Sequence, residues 1–99
     1  MTDNKTHLSR AERMQSALAA HFTPTSLSLV DESSLHAGHA GARPGGETHY
    51  RLRIVSDAFA GLSRVARQRL VYDLVREEFD TGLHALALEL KTPAEAQSS

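Results

Sequence analysis

The amino-acid sequence predicts an α+β fold whose elements follow the order helix, strand, strand, helix, strand (αββαβ). Between residues 48 and 56, apolar side chains alternate with Arg51 and Arg53, as in a strand with one buried and one exposed face. Before and after this strand, apolar residues recur three or four positions apart, which is the spacing of an amphipathic helix. A chain of 99 residues has room for one small sheet and a helical layer.

The first helix is predicted over residues 9–22. Ser9 and Glu12 have the spacing of a capping box, in which each side chain bonds the backbone amide of the other residue. Pro24 ends the helix, because proline disfavours the helical conformation of the residue before it. The apolar stripe of this helix consists of Ala11, Met14, Leu18 and Phe22. A strand follows over residues 25–31, where leucines alternate with serines.

Residues 32–46 separate this strand from the central strand at 48–56. The segment is rich in glycine, alanine and serine, and it has neither helical nor strand periodicity. A loop of this length is unusual in so small a domain, and such loops tend to be functional or disordered. We expect the two strands to form a hairpin around it.

The second half of the chain predicts a turn, a helix and a strand. A tight or single 3₁₀ turn is expected over residues 56–61, and Ser63 is the expected N-cap of a helix that runs to residue 79. Gly82 is suited to stop this helix, and a strand with its leucines on one face follows at 84–90. The connection is long enough for a parallel crossover, and such crossovers are almost always right-handed. Both helices should therefore cover the leucine face of a three-stranded mixed sheet and leave the other face open.

The folded domain is predicted to span residues 9–91, with flexible tails at 1–8 and 92–99. The net charge of −1 and a pI near 6.6 provide no general attraction for nucleic acid or anionic lipid. No apolar run approaches the roughly 20 residues of a membrane span, and no basic-then-apolar leader is found. We therefore expect no membrane association and a cytoplasmic location.

Any metal chemistry in this chain must use imidazole nitrogen. The sequence contains no cysteine but six histidines. The absence of cysteine excludes a disulfide framework, a cysteine nucleophile and a thiolate metal ligand from this chain.

Three histidines are expected to converge at one end of the sheet. If the second and third strands are parallel, their first residues are neighbours, so His84 lies where the loop carrying His36 and His39 returns. Alternation places His84 on the helix-covered side and His49 on the opposite side. The predicted metal-binding pair is His84 with one of the two loop histidines. The alternative is a hydrogen-bonded rim histidine beside solvated loop histidines, and two imidazoles alone do not complete a four-ligand zinc site.

The arginines of the second helix form another candidate site. Arg64, Arg67, Arg69 and Arg76 could contact phosphate groups. The alternative is a solvated helix face that neighbouring acidic residues neutralise, and this interpretation is the favoured one. The sequence carries no Gly-rich phosphate loop, no nucleophile elbow and no recognisable pair of catalytic carboxylates, so an enzyme is not predicted.

Several separated motifs together resemble the BolA family. They are Val30-Asp31-Glu32-Ser33, a loop histidine, Glu47-Thr48-His49-Tyr50, Val55-Ser56-Asp57-Ala58-Phe59-Ala60-Gly61 and His84-Ala85-Leu86-Ala87-Leu88. Arg67-Gln68-Arg69 stands where that family commonly has an Arg-His-Arg-like segment. The resemblance extends from the first helix to about Lys91, and it implies an αββαβ fold similar to the class II KH arrangement.

The resemblance implies an adaptor, not an enzyme. Members of this family partner a monothiol glutaredoxin and share a [2Fe–2S] cluster with it and with glutathione, in iron–sulfur trafficking or iron sensing. The cluster-ligating histidine of the family falls on His84, and the second ligand comes from the loop, here His36 or His39. The isolated chain is expected to carry no cluster and to be a monomer or a weak homodimer.

A second function implied by the resemblance is that of a KH-like DNA- or RNA-binding transcriptional regulator of stress response and cell morphology. Its candidate contacts are Arg64, Arg67 and Arg69. KH domains clamp the nucleic-acid backbone with a Gly-x-x-Gly loop, whereas Phe59-Ala60-Gly61-Leu62-Ser63 lacks the second glycine. The charge balance of the chain also disfavours a large phosphate contact.

Overall fold

A three-stranded mixed sheet with helices on one face forms the body of the protein. The computed structural model describes residues 8–33 and 47–98, so most of the predicted N-terminal tail and of the long loop lies outside the described residues. The elements are α1 (Arg10–Phe22), β1 (Ser26–Asp31), β2 (His49–Val55), a 3₁₀ turn (Asp57–Phe59), α2 (Arg64–Leu74), α3 (Arg76–Asp80), β3 (Ala85–Lys91) and α4 (Pro93–Ser98).

The sheet has the order β1-β2-β3. β1 is antiparallel to β2, with Leu29 opposite Leu52, and β2 is parallel to β3, with Leu52 opposite Leu88. The predicted fold class and the predicted parallel pairing are therefore confirmed. Parallel pairing brings the first residues of β2 and β3 to the same end of the sheet.

Helix α1 begins and ends as its sequence predicts. The side chain of Ser9 accepts a hydrogen bond from the Glu12 amide, and the Glu12 carboxylate accepts one from the Ser9 amide. Thr23 adopts a left-handed conformation with φ of 39°, and its amide bonds the carbonyl of Ala19. This is the geometry of a helix C-terminus, although glycine adopts it with less strain.

The hydrophobic core lies between the sheet and the helices. It is built from one stripe of α1, the inward side chains of β2 and β3, the 3₁₀ turn and the inner face of the second helical segment. Its buried members are Met14, Leu18, Phe22, Tyr50, Leu52, Ile54, Phe59, Val71, Val75, Leu83 and Leu86. Phe22 and Phe59 meet with their ring centroids 5.0 Å apart, which joins α1 to the turn after β2.

The single helix predicted over residues 63–79 is divided in two. Val75 has φ of −107° and ψ of 17°, which lies outside the helical region and separates α2 from α3. Val75 is nevertheless 2% exposed and belongs to the core. With this break Val75 stays buried in the core, and α3 directs Glu78 towards Arg10 and Arg13 of α1. Apolar periodicity cannot predict such an ion pair between distant residues.

A short helix occupies the region where the sequence predicts a polar tail. The amide of Thr92 bonds the Glu95 carboxylate, and the amide of Glu95 bonds the Thr92 hydroxyl. This is a second capping box, and Pro93 occupies the first helical position, where proline is favoured. Thr92-Pro93-Ala94-Glu95 is therefore a helix-start signal that the sequence analysis missed.

Side chains of α2 cover the outer edge of β3. The carbonyls of Leu86 and Leu90 point away from β2, because the alternate residues of β3 bond β2. The Tyr72 hydroxyl donates to the Leu86 carbonyl at 3.1 Å, and the Arg67 guanidinium donates to the Leu90 carbonyl at 3.0 Å. Arg67 also bonds the Leu62 carbonyl and both carboxylate oxygens of Glu95. Its side chain is 12% exposed, so it joins α2, β3 and α4.

None of the helices within the described ranges has the length and apolar character needed to cross a bilayer.

Replacing Arg67 by methionine should lower the free energy of unfolding by about 2 kcal/mol. The carbonyls of Leu62 and Leu90 lose their donor, and unpaired, partly buried polar groups are costly. Chemical denaturation in urea measures the change. The matched control is Arg69→Met on the same helix, where the exposed side chain should change stability by less than about 0.5 kcal/mol. Equal effects of the two substitutions would contradict this role for Arg67.

Candidate metal centre at the start of the parallel strands

The entry of β3 is irregular at the end of the sheet where the site was predicted. The amides of His84 and Ala85 both donate to the carbonyl of Thr48, at 2.8 and 3.0 Å. Both amides therefore share one acceptor just before the regular pairing of β2 and β3 begins at His49 and Ala85. His84 precedes this pairing, so its side-chain direction is not set by strand alternation.

The side chain of His84 does not enter the core. Leu83 is 3% exposed and packs in the core, so it takes the inward position that alternation assigns to His84. His84 is exposed, and its ring centroid lies 5.2 Å from that of His49. The prediction that His84 and His49 lie on opposite sides of the sheet is therefore wrong. Its physical cause is that β3 begins at Ala85, so strand alternation does not extend back to His84.

His49 is held by Thr48, which precedes β2, and by Ser33, which follows β1. It is 7% exposed, and its Nδ1 lies 2.9 Å from the Thr48 hydroxyl. Its amide donates to the Ser33 hydroxyl at 3.1 Å, and the amide of Thr48 donates to the same oxygen at 3.0 Å. The Ser33 hydroxyl therefore fixes the backbone of His49, and the Thr48 hydroxyl restrains its imidazole.

The two ends of the long loop are joined by Asp31. Its carboxylate accepts hydrogen bonds from the amides of Ser33, at 2.8 Å, and Glu47, at 3.3 Å. Burial raises the pKa of Asp31, but the hydrogen bonds from Ser33 and Glu47 outweigh it and leave the pKa lowered. The charged carboxylate of Asp31 therefore binds Ser33, at the start of the loop, and Glu47, at its end.

Arg10 connects the segments that lead into β2 and β3. Its Nε donates to the Glu47 carbonyl at 2.8 Å, just before β2. Its terminal nitrogens donate to Glu78 and to both the hydroxyl and the carbonyl of Thr81, just before β3. Arg10 is only 8% exposed, and these partners satisfy a charge that would be costly to bury alone.

Tyr50 lies between these charged groups. It is 3% exposed, and burial raises its pKa to about 12, with a further contribution from the negative charges of Asp31 and Glu47. Its phenol therefore stays neutral at physiological pH, and the buried ring forms part of the core beneath the start of β2.

Of the three predicted metal ligands, His84 lies within the described residues. His84 lies at the shared end of β2 and β3, and it is exposed there. His36 and His39 lie outside the described residues. Among residues 8–33 and 47–98, no three histidine, aspartate or glutamate side chains are arranged to hold a metal ion. The described ranges therefore provide two neighbouring imidazoles, of which His49 was not predicted as a partner of His84.

The arginines of the alternative site differ in their surroundings. Arg67 uses its guanidinium for contacts within the chain and also lies 5.8 Å from the centre of the Phe59 ring. Arg64 and Arg69 are exposed on α2. Of the three, Arg64 and Arg69 are positioned to meet a ligand from solvent.

A family model described as "BolA-like protein" matches residues 18–95, which include β1 to β3 and both ends of the long loop. The chain belongs to the BolA-like family. The resemblance noted from its motifs is thereby confirmed.

Two curated proteins are similar to this chain over most of its length. The chain is 50% identical over 91 residues to "Protein BOLA1, chloroplastic" of Arabidopsis thaliana, covering 90% of this chain and 57% of that protein. It therefore spans little more than half the length of this relative. It is 41% identical over 81 residues to "DNA-binding transcriptional regulator BolA" of Escherichia coli, covering 82% of this chain and 73% of the relative.

A solved BolA structure has the same architecture. The BolA domain of SufE1 from Arabidopsis thaliana matches with a TM-score of 0.80 at 50% identity, covering 89% of this chain and 96% of that one. The fold derived from the sequence is thus that of an experimentally determined BolA domain.

Acid should destabilise the protein partly through Glu78. Hydrogen bonds from Arg13, together with the charges of Arg13 and Arg10, lower the pKa of Glu78 against the opposing effect of burial. A lowered folded-state pKa adds stability above the unfolded value of 4.5, and this stability is lost as the pH falls through the folded pKa. The melting temperature should therefore fall as the pH drops below 4.5 and through the lowered folded-state pKa of Glu78.

The variant Glu78→Gln should be less stable at neutral pH and lose part of this acid dependence. Glu77→Gln, at an exposed position on the same helix, should keep the parental pH profile. Thermal unfolding followed by circular dichroism across this pH range measures both. Parallel profiles for the parent and Glu78→Gln would contradict the assignment.

Proposed function

We propose that this chain is an adaptor that binds a monothiol glutaredoxin and supplies imidazole ligands to a [2Fe–2S] cluster shared with that partner and with glutathione. The cellular role would be iron–sulfur trafficking or iron sensing, in the cytoplasm. The observation that carries the proposal is the exposed His84 imidazole immediately before the start of β3. Membership of the BolA-like family supports it.

The donor set of the chain fits a shared cluster and not a cluster held by this protein alone. A [2Fe–2S] cluster takes four ligands, usually cysteine thiolates, and histidines can replace the thiolates on one iron. This sequence has no cysteine, so its contribution is limited to imidazole nitrogen. Thiolates would then have to come from glutaredoxin and glutathione, which explains why an adaptor of this composition needs a partner.

His84 would be the first ligand from this chain, and His36 or His39 the second. The anchoring of Glu47 by Arg10 and Asp31 supports this assignment, because it ties the returning end of the loop to the same end of the sheet as His84. Neutral imidazole in place of thiolate removes negative charge and raises the reduction potential of such a cluster.

In this proposal the residues of the chain position the ligands and take no part in a chemical reaction. The Thr48 carbonyl fixes the backbone of His84, and the exposed ring then faces an incoming partner. In this proposal the protein catalyses no reaction, carries no cluster when isolated and is a monomer or a weak homodimer without its partner.

Mixing the chain with cluster-loaded monothiol glutaredoxin should change the visible absorption and circular dichroism spectra. His84→Ala should abolish this change, because one imidazole ligand is lost. The exposed position of His84 leaves the fold intact, which far-ultraviolet circular dichroism checks. His36→Ala and His39→Ala, tested separately, should identify the loop ligand by the same loss.

The matched control is His21→Ala, which replaces an exposed histidine of α1. It should give the parental spectrum. An unchanged spectral response of His84→Ala would reject the proposal, whatever the loop variants do.

A second candidate function is DNA binding. The observation that favours it is the 41% identity to the Escherichia coli relative named as a DNA-binding transcriptional regulator. Arg64 and Arg69 are exposed on one helix and would contact phosphates, whereas Arg67 is engaged inside the chain. The two functions are compatible, since α2 and the start of β3 use different residues.

If DNA binding occurs, Arg64→Gln and Arg69→Gln should each weaken it and lower the salt dependence. Each lost phosphate contact should reduce the slope of log affinity against log salt by about 1. Fluorescence anisotropy at several salt concentrations measures this slope. Arg76→Gln is the control, because Arg76 is exposed but paired with Asp73 at 2.7 Å. The same slope in all three variants would argue against the α2 contact.

A further inference from the structure

The turn that leads into His84 is held at both of its ends. At its beginning, Arg10 donates from Nη2 to the Thr81 carbonyl at 3.1 Å and from Nη1 to the Thr81 hydroxyl at 2.9 Å. At its end, the His84 amide donates to the Thr48 carbonyl at 2.8 Å. The backbone of residues 81–84 is therefore fixed to α1 on one side and to the segment before β2 on the other.

The same guanidinium holds the residue just before Thr48. Glu47 has φ of 64°, in the left-handed region that a residue with a side chain adopts only when its surroundings impose it. The Nε of Arg10 donates to the Glu47 carbonyl at 2.8 Å, and the backbone amide of Arg10 donates to the Glu47 carboxylate at 2.8 Å. Arg10 thus stabilises a strained residue next to the carbonyl that accepts the His84 amide.

These contacts require a guanidinium. Nε is directed at Glu47, whereas Nη1 and Nη2 are directed at Glu78 and Thr81. A planar fork of N–H groups can serve partners on several sides at once, whereas lysine has one ammonium at the end of a flexible stem. The Glu78 carboxylate lies 2.7 Å from Nη1, so the charge of Arg10 is also paired.

We propose that Arg10 is the positioning residue for His84. By joining Thr81 to Glu47, it keeps the backbone of this histidine in one place relative to β2, so the imidazole meets the partner already ordered. Groups that orient a metal ligand contribute to affinity without touching the metal. Arg10 is 8% exposed and lies among protein groups, so it acts through His84. The inference rests on the proposed adaptor function, which makes His84 a ligand.

The first test is ¹⁵N relaxation of the full chain carrying Arg10→Lys, without glutaredoxin. The order parameters of the His84 and Ala85 amides should fall from about 0.85, the value of a rigid backbone, towards about 0.6. Those of Leu52 and Ile54, which are buried in β2, should keep the rigid value. Order parameters are measured on folded molecules, so a role of Arg10 in overall stability alone would leave them unchanged.

The second test is a titration with cluster-loaded monothiol glutaredoxin, followed by visible absorption. Arg10→Lys should need about ten-fold more chain for the half-maximal spectral change, which is the effect typical of residues that orient metal ligands. Far-ultraviolet circular dichroism selects a temperature at which the variant is folded.

Arg13→Lys is the matched control for both tests. Arg13 lies on the same helix and pairs with the same Glu78, but its hydrogen bonds within the described ranges are with Glu78 and Leu8. It should behave as the parent does. Thr81→Val is a milder variant at an exposed position, and it removes the hydroxyl that Arg10 bonds. It should shift both measurements in the same direction by a smaller amount, and it replaces Arg10→Lys should that variant fail to fold.

Three results would overturn the inference. They are a His84 amide that stays rigid in Arg10→Lys and Thr81→Val, an equal loss of order in Arg13→Lys, and a parental titration curve for Arg10→Lys. A parent chain that gives no spectral change would instead reject the adaptor function. The relaxation measurements need neither glutaredoxin nor cluster, so they decide by themselves whether Arg10 positions His84.

Discussion

The carbonyl oxygen of Thr48 is the acceptor on which the end of the sheet that carries His84 depends. By accepting the amides of His84 and Ala85, it sets where the parallel strand β3 begins and turns His84 outward while Leu83 enters the core. A carbonyl has two lone pairs, so it can accept both bonds without leaving either donor unpaired. Register, core packing and the direction of one imidazole are thus decided by a single acceptor.

The regular parts of the fold could be predicted because their signals are local. The α1 stripe and its capping box, the alternation of β2, and a crossover long enough for parallel pairing together led to the correct α+β topology. The break at Val75 is a departure of another kind, because it accompanies contacts between Glu78 and the distant helix α1. Helix α4 was overlooked although its signal, the capping box of Thr92 and Glu95, is local.

The candidate site shows the same division. Convergence of the starts of β2 and β3 followed from parallel pairing, and it put His84 at the correct end of the sheet. Its side-chain direction did not follow, because alternation holds only inside a ladder and His84 precedes β3. Leu83 and Leu86 are three positions apart and both buried, a spacing incompatible with strict alternation. This spacing of leucines was the available signal that the regular strand starts after His84.

The side-chain donors along the outer rim of β3 bear on how this protein meets other proteins. Unpaired strand rims offer a template on which another chain can extend the sheet, and such extension leads to uncontrolled polymerisation. Here Tyr72 and Arg67 already occupy the Leu86 and Leu90 carbonyls. A partner that approached by strand addition would have to displace both, so recruitment through the tips of the strands is the less costly route.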